Sequence, residues 1–329
     1  MTAKSAHKLT VYLQHALRCL LPRMFWQNRR KVLMETFQQF TAERRSEIQQ
    51  RAAYYNRLNQ PFTPSESAET TGDFRFSGKS TAYCIDFSRL IRCFPGNRKV
   101  DYQFGDVTAV PDQPRFVKSR PVRRDSSNRN SVLLKLNTIR HYHFVTDRLA
   151  FADKKPMAVW RGKSNRSHRI KFASRFAGHP FCDIGCTRHK EPEKQPYHKD
   201  FMSIEDQLEY QFVVSVEGID VATNLKWIMA SNSLCMMRRP TFETWFMEGS
   251  LVPGYHYVEL AEDHSNLAEK VEYYSAHPAE AEAIIANAQE HAARFRDERI
   301  ECITALLVMQ KYMDLSHQTT WQSTALQPG

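Results

Sequence analysis

Two groups of side chains in this 329-residue sequence have the right types and spacing for chemistry. The first is a cluster of cations, Arg161, Lys163, Arg166 and Arg169, set around Gly162 just after the short apolar run 157–160. Guanidinium groups grip phosphate oxygens in pairs, and a strand-to-helix turn is where phosphates are held, so the cluster reads as a phosphate clamp. The second is Asp106, which follows Gly105 at the end of a strand-like run over 99–104. A carboxylate placed there can accept a proton from an attacking hydroxyl. Each has an ordinary alternative: loop aspartates commonly close turns, and basic clusters often face solvent.

A third stretch, 209–237 (EYQFVVSVEGIDVATNLKWIMASNSLCMM), supplies the scaffold for such a clamp. Residues 210–216 form a nearly continuous apolar run, which suits a strand buried on both faces. Glu217-Gly218 ends it with a sharp turn. Leu225, Ile228, Met229 and Leu234 recur at roughly helical spacing, predicting a helix from Val221 and a second strand over 233–237. The N-terminus of that helix would offer free N–H groups and partial positive charge to an anion.

The elements that must hold these groups alternate along the chain. Leu9, Leu13, Leu17, Leu20 and Met24 make a helical stripe beside Arg18, Arg23 and Arg29-Arg30-Lys31. That stripe fits an acidic membrane surface or packing on the body of the protein. Pro22 interrupts it, and a second, largely surface helix extends to about Leu58. A Pro/Ser/Thr-rich loop fills 62–79, and helix is expected over 83–91. Regular structure resumes over 131–147, and helices follow at 169–176, 278–295 and 299–314, with Ser265 a plausible cap and the tail from Ser316 loose. His256, in an expected strand over 255–258, could touch a ligand or sit half-buried.

Net charge is +10, and residues 1–60 carry eleven Lys/Arg against three Asp/Glu. Residues 111–140 add eight Lys/Arg against two Asp, so anionic partners are favoured. Seven cysteines, an odd count with no signal peptide, argue for free thiols in a reducing cytoplasm. Cys182 and Cys186 lie near His179, His189 and His198, but the CxxxC spacing has no matching second pair, which argues against zinc. No run reaches the roughly 20 apolar residues of a membrane span.

The wording of five ordered segments is more specific than this pattern. FGDVTAVPDQPRFVKSRPV, NSVLLKLNTIRHYHFV, AVWRGKSNRSHRIKF, SIEDQLEYQFVVSVEGIDVATNLKW and PTFETWFMEGSLVPGYHYV together resemble glycosyltransferase family 90, nearest its bacterial lipopolysaccharide branch. The resemblance implies an α/β protein of GT-B type, with two Rossmann-like domains facing a cleft and extra N-terminal helices. The expected division is a basic helical segment at 1–60, an acceptor domain at 61–150, a donor domain at 151–300, and a last helix with loose tail at 301–329.

The resemblance also implies site roles. The family's general base corresponds to Asp106. The arginine and glycine of its W/F-R-G turn correspond to Arg161 and Gly162, and an arginine on the donor diphosphate corresponds to Arg169. The segment closing over the donor corresponds to Glu217, Gly218, Thr223, Asn224 and Lys226. Eukaryotic members carry an arginine where this chain has Asn224, which lacks charge and fork. Either Lys226 supplies the cation or the phosphates are held differently.

The expected activity is inverting, metal-independent sugar transfer from a nucleotide-diphosphate donor, read as a UDP-sugar, to a hydroxyl of a lipopolysaccharide core or related surface glycan. No D-x-D motif is present, so no metal and no cofactor are expected. The expected partners are the donor, a lipid-linked glycan acceptor and an anionic membrane surface. Nucleic acid is not among them, because no helix-turn-helix, zinc finger or RNP motif occurs. The expected location is cytoplasmic, peripheral on the inner face of the inner membrane. The alternatives are a non-catalytic binder of anionic polymer and a protein O-glycosyltransferase of the same fold.

Overall fold

The computed structural model describes residues 21–75, 81–123, 125–163, 166–188 and 193–316. The leucine stripe before residue 21, His189 and the tail beyond Ser316 lie outside the described residues. Those described group into two units, 21–139 with 298–316, and Arg140–Asp297. The segments expected to stand apart at 1–60 and 301–329 join the 61–139 region in their described parts, and the boundary expected after 150 falls eleven residues earlier, between Ile139 and Arg140.

Side-chain chemistry explains that joining. Helix α1 (Arg23–Gln39) starts directly after Pro22, whose fixed φ suits a helix entry, and it buries Trp26, Leu33 and Phe37. Helix α2 (Ala42–Tyr55) is capped by Thr41, whose side chain accepts from the Arg44 N–H. Although polar in composition, α2 buries Ile48, Ala52, Tyr55 and Arg51. The Arg51 guanidinium pairs with Glu301 at 2.5 Å on the carboxy-terminal helix Glu298–Leu315, with both side chains buried. Asn56 Nδ2 donates to the Val308 carbonyl of the same helix at 3.0 Å.

The core of this unit is a short parallel sheet, β1 (Tyr102–Gln103), β2 (Arg115–Val117) and β3 (Ser131–Leu133), in the order 1-2-3. The strand expected over 99–104 is broken at Asp101, whose carboxylate accepts from the Ser65 N–H and hydroxyl. Helix α3 (Thr81–Ile91) packs Phe87 against Phe116, and Tyr312 closes on Phe116 at 4.4 Å between ring centroids.

Residues Arg140–Asp297 form a five-stranded, all-parallel sheet: β4 (Lys155–Lys163), β5 (Cys182–Arg188), β6 (Tyr210–Ser215), β7 (Leu234–Met237) and β8 (Val258–Glu259). The order is 8-7-6-4-5. One face packs Trp160, Ile184, Val214 and Met236 against Phe172 of α4 (Ser167–Arg175). Helix α5 (Leu225–Ile228) is a single turn, far shorter than the helix expected from Val221. Helices α6 (Leu267–Ala276) and α7 (Pro278–Ala293) add Leu267, Val271 and Ile284 to the same core. Every residue of β6 is buried, which is why its sequence runs apolar without alternation.

Candidate active site

The strand order directs attention to one edge. From β4 the chain adds β5 on one side, then crosses to add β6 on the other, so the winding direction reverses between β4 and β6. In open α/β sheets ligands bind outside the carboxyl ends of the strands at such a reversal. The β4–β6 ladder ends at Val159 and Val213, whereas both strands run on past it. The extensions carry Trp160-Arg161-Gly162 on one side and lead to Glu217-Gly218 on the other.

Arg169 sits across that gap. Its Nε donates to the Glu217 carbonyl at 2.9 Å and its Nη2 to the Val216 carbonyl at 2.8 Å. The guanidinium also lies 5.8 Å from the Trp160 ring centroid. Among the described residues no carboxylate pairs with Arg169. Burial is the main influence pushing its pKa below the ordinary value, and Arg140 and Arg166 push the same way. A half-buried cation without a counter-charge is a ready partner for an anion. His168 Nε2 reaches the Glu217 carbonyl as well, at 2.9 Å.

Two glycines permit this packing. A Cβ on Gly218 would stand 3.3 Å from Arg169 Nη2, and one on Gly162 would meet the Trp160 ring at 2.2 Å. Gly162 thus lets Trp160 fold flat into the core, and Gly218 lets Arg169 close on the strand end.

Other expected donor residues lie differently. Arg161 alternates with Trp160 along β4, so it points to the opposite face of the sheet from Arg169. There it pairs with Asp183 at 2.9 Å and donates to the carbonyls of Asp183 and Asp200. Asp183 also accepts from Lys199 and Tyr210; although burial opposes it, these bonds and Arg161 hold the carboxyl below its usual range. The four-cation clamp therefore does not assemble as the linear sequence suggests.

Lys226 corrects the reading more sharply. Its ammonium is fully buried and pairs with Glu248 at 2.5 Å, itself buried, so it faces no ligand. Asn224 donates to the Val214 carbonyl at 3.0 Å and accepts from the Ser215 hydroxyl, tying α5 to β6. Glu217 takes both the N–H and the hydroxyl of Thr241, at 2.9 and 2.7 Å, clipping the end of β6 to the segment after β7. Thr223 is half-buried, and its hydroxyl has no partner among the described residues. The expected helix N-terminus is absent as an anion site, since α5 is one turn long.

The strand ends also expose what sequence reasoning passed over. Arg238 directly follows β7 and lines a small pocket at the strand ends, together with Ser215, Glu217, Leu225, Met237, Phe242 and Glu248. The signal was present as Arg238-Arg239 at the end of a recognised strand. His264, at φ +61°, is buried nearby, and its pKa is pushed down to about 4 by burial first, then by Arg238 and His168. His256 instead accepts from the Val252 N–H at 3.0 Å in its own loop. Asn266, not Ser265, stands at the start of α6.

In the other unit, Asp106 occupies a braced loop. Gly105 adopts φ +108°, open to glycine and strained for other residues. Val107 exchanges two hydrogen bonds with the Ser119 hydroxyl, both 3.2 Å. Lys118, almost fully buried, donates to Asp106 Oδ1 at 2.6 Å. The carboxylate is 28% exposed, and Oδ2 has no hydrogen-bond partner among the described residues. One oxygen is anchored and the other is open, a geometry suited to accepting a proton.

No group of three or more potential metal ligands gathers among the described residues. Cys182 and Cys186 are buried free thiols, and His198 Nδ1 accepts from the Gln195 N–H at 3.0 Å.

The chain is 46% identical over 309 residues to "O-glucosyltransferase LpsA" of Dichelobacter nodosus, covering 94% of this chain and 96% of that protein. It is 28% identical over 171 residues to human "Protein O-glucosyltransferase 3", covering 50% of this chain and 33% of that one. Zebrafish (Danio rerio) "Protein O-glucosyltransferase 2" is 26% identical over 163 residues, 47% of this chain and 32% of its own length. The model of Glycosyl transferase family 90 matches residues 135–325, which takes in the whole β4–β8 sheet. With that match over more than half its length, the chain belongs to glycosyl transferase family 90.

Proposed function

We propose that this glycosyltransferase moves a sugar from a nucleotide-diphosphate donor, read as a UDP-sugar, to a hydroxyl of a lipopolysaccharide core or related surface glycan. The likeness to the Dichelobacter nodosus protein, named O-glucosyltransferase LpsA, supports both the reaction and the acceptor class. The observation that carries the donor reading is Arg169, a half-buried guanidinium bonded only to backbone carbonyls at the β4–β6 reversal.

In this reading the two units are the acceptor and donor halves of a GT-B-like enzyme. The acceptor oxygen attacks the anomeric carbon with inversion and gives its proton to Asp106 Oδ2. The bond from that carbon to the diphosphate oxygen breaks, and its electron pair leaves on the diphosphate. Arg169 stabilises the charge that develops there, without a metal. Gly162, Gly218 and the Glu217 clip hold Arg169 in place, while Arg161, Asn224 and Lys226 brace the strands behind it.

The membrane contact belongs to the same reading. On α1, Met24, Phe25 and Val32 are exposed beside Arg29 and Lys31, the mixture of apolar and basic side chains that an anionic bilayer surface attracts. Among the described residues no helix is long and apolar enough to cross a membrane. We place the enzyme on the cytoplasmic face.

The test is a panel of nucleotide sugars scored for thermal stabilisation and turnover, on wild type and Arg169→Ala. One donor should stabilise the wild type, and the variant should bind it more weakly by about 1.5–3 kcal/mol. Stabilisation by oligonucleotides and by no nucleotide sugar would overturn the reading.

A further inference from the structure

Several cations stand near the carboxyl edge of the β4–β8 sheet, and most are committed elsewhere. Arg161 is paired with Asp183 and Lys226 with Glu248. Arg169, assigned above to the leaving diphosphate, uses Nε and Nη2 on the last carbonyls at the end of β6. Arg239, exposed, is held in a two-pronged contact with Glu259, both bonds 3.1 Å.

Arg238 is held loosely by comparison. It is the one basic residue among the described residues lining the pocket at the ends of β6 and β7. Its side chain is 20% exposed. The nearest Glu217 oxygen is 3.7 Å away, beyond hydrogen-bond range, and Glu217 is already engaged twice by Thr241. Its other partner is Glu262, whose main-chain carbonyl accepts from Nη1 at 3.3 Å and whose carboxylate, 3.2 Å away, is 84% exposed, so that the ion pair is screened and worth little. A phosphate could take the place of Glu262 and engage the guanidinium through two parallel hydrogen bonds. Beside Arg238 the pocket has apolar walls, Val221, Leu225, Met237 and Phe242, and two carboxylates, Glu217 and Glu248, that are already engaged by Thr241 and by Lys226 with Thr244. Nearby His264 is held neutral by its burial, so it adds no competing charge around neutral pH.

We propose that Arg238 is a further donor-binding residue, whose guanidinium, at the mouth of this small pocket, grips the diphosphate of a bound nucleotide. The assignment rests on the donor reading above and supplies the cation that Asn224 and Lys226 do not.

The experiment titrates the full chain by calorimetry with UDP, ADP, GDP and CDP, and with the matching nucleosides. The wild type should bind at least one of the diphosphates. Arg238→Gln should weaken that diphosphate by roughly ten- to a hundredfold and leave the nucleoside unchanged. Glu262→Gln, which removes the competing exposed carboxylate, should not weaken it. Where Arg238→Gln does not fold, Arg238→Lys keeps the charge but loses the fork, and a several-fold loss is expected. Unchanged diphosphate binding in the Arg238 variants overturns the assignment and leaves the donor reading intact. Parallel loss of nucleoside, or an equal loss in Glu262→Gln, makes Arg238 a loop clip and overturns it too. A wild type that binds none of the four diphosphates overturns the assignment and the donor reading together.

Discussion

Two lysine–carboxylate pairs, one in each unit, have nearly the same chemistry and opposite surroundings. Lys118 meets Asp106 at 2.6 Å, and Lys226 meets Glu248 at 2.5 Å. Both lysines are buried. The difference is the carboxylate: Asp106 is 28% exposed with one oxygen open, whereas Glu248 is 1% exposed and also takes the N–H and hydroxyl of Thr244. With its oxygens engaged by Lys226 and Thr244, the second pair holds structure. Open on one side, the first can hold a position and still exchange a proton. Type and pairing do not separate these two carboxylates; access does.

Asp106→Asn gives the largest expected effect on that contrast. It keeps the shape and the bond from Lys118 but removes the proton acceptor. Turnover should fall by roughly 10²–10⁴-fold, or about 3–5 kcal/mol of barrier. Donor affinity should hardly move, because Arg169 and Arg238 lie in the other unit, whereas the melting temperature should fall, because buried Lys118 loses its counter-charge. Near-normal turnover in a folded variant would remove Asp106 from the mechanism.

Lys226→Met should act on the fold instead. It strands a buried carboxylate and should cost about 3–5 kcal/mol of stability, read by denaturant unfolding. The double variant Lys226→Met, Glu248→Gln should recover most of the loss, since the amide can still accept from Thr244. Normal stability with lost nucleotide binding would break the comparison and return Lys226 to the donor site.

A pH titration of stability should distinguish the cationic edge around Arg238. Burial foremost, then Arg238 and His168, hold His264 near a pKa of about 4, against about 6.5 in an unfolded chain. Its contribution is therefore complete above pH 6.5 and is lost as pH falls toward 4, because the unfolded chain binds the proton more readily. His291, also near 4 through burial, adds in the same direction. His264→Asn tolerates φ +61° and should remove on the order of 1–3 kcal/mol of that acid-side loss. A melting curve with the same acid slope in wild type and variant would show that His264 is not the source.

The smallest expected change comes from chelation. EDTA should leave turnover where it was, because side chains carry the leaving-group charge in the proposed mechanism. Loss on chelation with recovery on adding manganese would show that the two regions do not suffice for the chemistry.

Much of this was legible along the chain. Residues 210–215 read as a doubly buried strand because a central parallel strand is covered on both faces, leaving an apolar run with no alternation. Gly105 before Asp106 marked a backbone turn, and it takes a positive φ. The family resemblance rested on words spanning both units. Which charges meet was not legible. Arg161 and Arg169 are eight positions apart, but one alternates outward along β4 while the other folds back from α4, so the sheet separates them. Lys226 and Glu248 are 22 residues apart, and nothing local shows that they bury each other. Arg238 joins the pocket only because β7 lies beside β6 in parallel register, ending Met237 against Ser215. Local sequence sets which residues can be strand, turn or cation, since those preferences act over a few bonds. The partner and exposure of each charge come from pairings between distant segments, and in this protein those decide which cations can reach a ligand.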